Sequence, residues 1–287
     1  ILLDKGKELD WFASPFIIAL AVITVVGFVY FLIWEFTAAH PIVDLSLFKQ
    51  RNFSSGVIMI SVAYGVFFGA VVLVPLWLQS TLHYTATWAG IALAPVGILA
   101  IILSPVVGRL LSHYDPRWII SFAFVIFALT SYMRSQFSTD VSIYTVMLPT
   151  FIQGAAMATF FTPLTTITLS GLAPDRIPAA AGLSNFARLL AGAFGTSITT
   201  TLWSDRTSLH HAQMTELARP GEPAFDWYTE QLHELGLSSK QALNLIDDII
   251  AQQAQTLAAT DIFYASAIIF VVLLGLVWLA RPDPIRA

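Results

Sequence analysis

The sequence predicts an all-α integral membrane fold, and three observations carry that prediction. Apolar residues make up 56% of the 287-residue chain and charged residues only 11%, where soluble domains carry about 25% charge. Mean hydropathy is +0.74. Charge-free runs long enough to cross a bilayer as helices, about 20 residues each, recur along the chain. The first is 11–34. Between Arg51 and Arg109 lie 57 residues without Asp, Glu, Lys or Arg, enough for two crossings, 53–79 and 88–108, with the polar stretch 79–87 as the turn. A short crossing follows at 118–133, where Arg117 and Arg134 are expected to snorkel outward. Crossings at 141–173, 183–203 and 262–280 complete the set of seven.

Lys and Arg in short loops set orientation. Loops after the first, third and fifth crossings, with the tail, hold Lys49, Arg51, Arg109, Arg117, Arg176, Arg188, Arg281 and Arg286; the opposite side holds Lys5, Lys7 and Arg134. The C-terminus is therefore expected in the cytoplasm. The acidic block 204–261, with nine acids against three bases, is then external. Within it, Ser238 with Gln241 predicts a helix start. Leu243, Ile246, Ile250, Ala254 and Leu257 form the apolar stripe of an amphipathic helix running into the last crossing. That stripe would pack on Phe225–Leu235, lie on the bilayer or dock a partner protein. The chain opens at Ile1 with neither an initiator Met nor a leader, which gives the expectation of a piece of a longer polypeptide.

Pro75 and Pro163 stand at nearly the same depth of the second and fifth crossings. Ala89-Gly90 and Ala181-Gly182 open the crossings that follow each. Two three-helix repeats of opposite topology are consistent with this. Gly65/Gly69, Gly154/Ala158 and Ala191/Gly195 are small pairs of the kind that let helix backbones approach.

Composition excludes several chemistries. There is no cysteine, hence no disulfide or thiolate site. The net charge of −4 offers no basic field for nucleic acid. His210-His211 point about 100° apart on a helix and lack a third ligand, so no metal is expected. No helix holds a nucleophile–base or paired-carboxylate set, so there is no catalytic residue and no enzyme is expected. The four lysines lie outside the crossings, which excludes a retinal Schiff base. Two helix faces stand out: Tyr64, Phe68, Val71, Pro75 and Gln79, and Gln153, Met157, Phe160 and Leu164. Adaptable apolar and aromatic surface with a few hydrogen-bonding groups suits a site for small hydrophobic drugs, and equally suits a helix seam. Arg188 lies inside a crossing, one turn from Asn185. It either snorkels to the cytoplasmic end or serves as a gate or cavity charge.

The run PIVDLSLFKQRNF (41–53) resembles the hinge ahead of the C-terminal domain of EmrB/QacA-type drug:proton antiporters, 14-helix members of the major facilitator superfamily. The likeness continues through LSPVVGR (103–109), FIQG (151–154), FFTPLTTITLSGLAPDR (160–176) and LSNFARLLAGAFGTSITTTLW (183–203). HHAQMTE (210–216) is similar to the EmrB branch. The resemblance implies a linker at 1–51 (one transmembrane helix about 11–34, cytoplasmic hinge 35–51) and a six-helix C-domain at 52–287 with external loop 204–261. It implies half of a multidrug efflux transporter of the bacterial inner membrane. That transporter would need the N-terminal half of the same protein and draw on the proton gradient with no cofactor. It would work with a periplasmic membrane-fusion adaptor and an outer-membrane channel. The cavity would be lined by Tyr64, Phe68, Gln79, Gln153, Met157 and Phe160, with Asn185 and Arg188 as gate or cavity charges. The superfamily's cytoplasmic loop pattern is degenerate here, with Ser112, His113 and Asp115 at positions usually Asp, Arg and Gly. The alternative is a non-transporting membrane scaffold of an export assembly.

Overall fold

The computed structural model describes residues 6, 11–37 and 44–280. The hinge stretch 38–43 and the tail with Arg281 and Arg286 lie outside the described residues. Nine α-helices follow one another among them: α1 (Pro15–Thr37), α2 (Arg51–Ser80), α3 (Ala86–Leu93), α4 (Pro95–Leu111), α5 (Pro116–Arg134), α6 (Ile143–Leu169), α7 (Ile177–Leu217), α8 (Pro223–Glu234) and α9 (Ser239–Val277). Six spans are long and apolar enough to cross a membrane, with α3 and α4 counted together. The seventh expected crossing belongs to α7, which falls short on composition because it carries Arg188 and a row of threonines. It nevertheless packs along α2 and α9.

Local sequence explains the breaks. Pro95 lacks the N–H that would continue α3 and its ring crowds the carbonyl four residues back, so the third crossing bends at Ala94. Asp115 caps α5 by accepting from the Arg117 N–H at 2.9 Å. Ser238 and Gln241 form a reciprocal capping box at the start of α9, where the sequence places a helix start.

Helix pairing has a two-fold pattern. The first helix of each repeat packs against the middle helix of the other, α2 on α7 and α6 on α4. Glycines make both contacts close: a Cβ on Gly195 would stand 2.1 Å from the Gly65 carbonyl oxygen, and one on Gly154 would stand 2.3 Å from that of Val96. The main core lies between α2, α5, α6 and α9, where Phe124, Phe127, Phe160 and Phe270 are fully enclosed. Among the described residues, α1 makes at most sparse contact with the bundle helices.

The acidic block 204–261 is largely helical. α7 runs on to Leu217 and α9 begins at Ser239, so each is about 60 Å long at 1.5 Å per residue. The stripe on α9 meets its neighbours: Ile246, Ile249 and Ile250 share an apolar groove with Met214, Phe225 and Tyr228. The middle of α9 is stitched to the bundle by polar side chains. Gln252 Nε2 donates to the Thr81 carbonyl at 2.9 Å. Trp203 Nε1 donates to the Gln255 carbonyl at 2.9 Å, and Gln253 Nε2 to Thr139 at 3.0 Å. His210 pairs with Asp261 at 2.8 Å and His211 with Asp247 at 3.2 Å. The two adjacent histidines thus serve separate acids that staple α7 to α9.

Candidate functional site

Of the expected cavity residues, Tyr64 and Phe68 come together on α2, one turn apart, with rings stacked at 4.4 Å. The Tyr64 ring also meets Phe161 of α6 edge-on at 5.9 Å. Arg188 reaches across from α7, its guanidinium carbon 5.2 Å from the Tyr64 ring centre and 5.9 Å from that of Phe161. Its Nη2 donates to Asn185 Oδ1 at 2.6 Å. Gly192, one turn beyond Arg188, leaves the room: a Cβ there would lie 3.1 Å from the Tyr64 ring. Arg188 therefore does not snorkel to the helix end; ring faces of two other helices hold it, an attraction worth about 0.5–2 kcal/mol. An arginine at this depth costs about 2.5–3.5 kcal/mol on insertion scales, so such contacts are what make the position tenable.

Depth follows from helix rise. Residue 64 is thirteen positions into α2, residue 188 eleven into α7 and residue 161 eight from the end of α6, which puts all three about 12–20 Å from the same end of the bundle. With a hydrocarbon core about 30 Å thick, the cluster sits near mid-membrane. Beside it lies a shallow depression of 330 Å³ lined by Phe161, Thr162, Thr165, Thr166 and Leu169.

Other expected residues lie elsewhere. Gln153 and Phe160 are 6% and 1% exposed and face the bundle interior. Phe160 meets Phe127 edge-on at 5.6 Å, because burying a ring against rings releases more apolar area than presenting it to a cavity. Gln153 Oε1 accepts from Arg134 Nη2 at 2.7 Å, and Thr150 accepts from the same nitrogen at 3.2 Å. Arg134 is itself only 2% exposed, turned inward where snorkelling was expected. Met157 is half-buried against the main core, one turn from Phe161. Gln79 is exposed at the C-terminal end of α2, donating to its own Pro75 carbonyl at 3.1 Å, about 22 Å from Tyr64 along the helix. The open face of α6 thus runs through Met157, Phe161 and Thr165, rotated from the predicted one. The threonine row at 162, 165 and 166 was its sequence signal.

At the end of the bundle where α2 and α7 begin, two of the sequence runs singled out above bind one another. Asp44, in the hinge, accepts from Arg176 Nε at 3.0 Å and from the Ser46 backbone N–H at 3.1 Å. Asn52 donates to Ser170 at 3.0 Å. Leu47, Phe53, Val57 and Ala180 form a small apolar core behind them. The Ser46 hydroxyl, and then Arg176, hold the Asp44 carboxyl below its usual range. Neither Asp44 nor Arg176 was a sequence candidate, since an acid and a base 132 positions apart carry no local pattern.

Among the described residues, no group of three His, Cys, Asp or Glu stands close enough to hold a metal ion.

The sequence profile of the Major Facilitator Superfamily matches residues 8–196. The chain is 52% identical to the multidrug export protein EmrB of Escherichia coli K12 over 98% of its length, covering 55% of that protein. It is 45% identical to the fatty acid resistance protein FarB of Neisseria gonorrhoeae over 98% of its length, covering 56% of it. With EmrB of Haemophilus influenzae it shares 44% over 98% of its length, again covering 56%. The chain spans about half the length of these curated relatives. Matched over most of its length by the profile and across nearly all of it by these relatives, the chain is a multi-pass membrane protein that belongs to the Major Facilitator Superfamily, and it corresponds to the C-terminal half of an EmrB-type transporter.

Proposed function

We propose that this chain supplies the C-terminal half of a multidrug efflux transporter of the bacterial inner membrane, exporting hydrophobic and amphipathic compounds in exchange for protons. Its open face would line a cavity shared with the N-terminal half, and rocking of one half against the other would expose that cavity to each side in turn. The observation that carries this reading is the cluster of Tyr64, Phe68, Phe161 and Arg188 at mid-membrane depth on three different helices. Stackable rings with few polar groups suit ligands of varied shape. The names of the relatives support the same reading. So does the arrangement of basic loops, which favours a cytoplasmic C-terminus and a periplasmic 204–261 block. The energy source is the proton gradient, with no bound cofactor.

The periplasmic block is also proposed as the surface for a membrane-fusion adaptor leading to an outer-membrane channel. The support is its apolar side chains outside the bilayer, Leu217 at 75% exposure and Leu243 at 51%. Leu217→Asp with Leu243→Asp should abolish adaptor co-purification while leaving the transporter folded; wild-type yield would remove the adaptor from this surface.

Transport itself is tested in proteoliposomes holding the complete gene product, by imposing a proton gradient and following dye accumulation. Uptake that collapses when the gradient is dissipated is the expected result. No movement of any amphiphile would overturn the efflux reading and leave the scaffold role in its place.

A further inference from the structure

Arg188 carries a full positive charge near mid-membrane, and no carboxylate among the described residues lies within ion-pair distance of it. Its polar partner is the neutral Asn185 amide oxygen, and its Nε is buried without an acceptor. We propose that Arg188, held between Tyr64 and Phe161, is an anion-binding position of the substrate site, and that the complete transporter carries acidic amphiphiles by seating their carboxylate on this guanidinium. The proposal deepens the efflux reading above and rests on it.

Three features support an anion rather than a cation or a neutral group. An uncompensated guanidinium in a low-dielectric setting repels ammonium ligands and gains most from an anion, through charge-assisted hydrogen bonds. Its place is fixed: two ring faces and Asn185 orient the fork, so little side-chain freedom is lost when a ligand arrives. The adjoining depression would hold the apolar body of the ligand against Phe161 and Leu169. The Thr165 and Thr166 hydroxyls there donate to carbonyls one turn back, at 2.8 and 2.9 Å. They offer lone pairs only, so Arg188 is the charged donor of the site.

A carboxylate of the N-terminal half could meet the same guanidinium, and the test separates the two. The complete gene product, reconstituted in liposomes, is assayed with pyrenebutyrate and pyrenebutyltrimethylammonium, which share one apolar body and differ in charge. Arg188→Gln should raise KM for the carboxylate by about tenfold, the size of one charge-assisted hydrogen bond, and should lower KM for the ammonium probe, which no longer meets a like charge. Arg188→Lys, which keeps the charge but not the fork, should fall between. Equal losses for both probes would overturn the proposal in favour of a contact with the other half of the protein. Unchanged kinetics for both would also overturn it. If the wild type moves neither probe, the efflux reading fails on its own. Equilibrium binding of pyrenebutyrate to purified wild type and Arg188→Gln then still decides the anion site: equal affinities would overturn it and a tenfold difference would uphold it.

Discussion

Arg134 and Arg188 both lie in membrane-spanning helices and meet side chains of neighbouring helices, a glutamine amide in one case and aromatic rings in the other. Arg134 ends α5 and by position should reach for water; instead α6 offers it Thr150 and Gln153, and it closes a polar node inside the bundle. Helical spacing put Gln153 on one face with Met157, Phe160 and Leu164 but could not say which side of α6 that face turns to. Phe160 and Phe161 pose the same difficulty, since adjacent positions differ by only about 100° and both sides of α6 are apolar. The node gives a test at the scale of single residues. Arg134→Met should destabilise the protein by about 1–3 kcal/mol, because Gln153 is left buried without a donor. Adding Gln153→Leu should recover most of that loss, as an apolar pair replaces a polar one of similar volume. Thermal unfolding of the purified single and double variants measures it; losses that simply add would mean the two side chains act independently.

At the scale of elements, the small-residue pairs read from sequence turned out to be the points where repeats interlock. Gly65 with Gly195, and Gly154 with Val96, bring backbones into contact at equivalent places in the two units. A side chain at either place meets a carbonyl oxygen, which cannot move aside as a flexible side chain can. Gly195→Ala and Gly154→Ala should therefore each cost about 1–3 kcal/mol or more through overpacking. Gly275→Ala, where a Cβ meets nothing within 4 Å, should be neutral or stabilising by up to about 1 kcal/mol, since alanine favours helix. Melting temperatures of the three variants check this, and a neutral Gly195→Ala would show that the α2–α7 contact is looser than described. The repeat itself was only hinted at by matching prolines. Pairing between helices far apart in sequence is consistent with it, and pairing of that kind has no local signature. The Asp44–Arg176 contact was hidden for the same reason.

For the whole molecule, the apolar surface divides into two kinds. The outer faces of α5 and α9 carry Trp118 and, just past Val277, Trp278, packed edge-on at 4.9 Å near one end of the bundle, and Tyr132 and Tyr264 beside one shared groove near the other end. On each helix the Trp and Tyr are fourteen positions apart, about 21 Å, a spacing suited to the two interfacial belts where these side chains concentrate. That face is built for lipid. The open face of α4 presents Ile101 at 74% exposure, with Ile98, Ile102 and Val106 beside it. Phe186 and Leu189 continue the same open character on α7, next to the Arg188 cluster. Surface of this kind is suited to the other half of the transporter. Because the chain has no cysteine, a single introduced thiol reports on one position of it without background, and in the complete protein once any cysteine of the other half is replaced. Val271→Cys and Val125→Cys should react quickly with a lipid-soluble maleimide whether this chain is expressed alone or as part of the complete protein. Ile101→Cys and Phe186→Cys should react quickly in the chain alone and be protected about tenfold or more in the complete protein, where an opposing helix excludes the reagent. Equal reactivity of Ile101→Cys in both forms would place the missing half against another surface, and would take the Arg188 site out of the cavity with it.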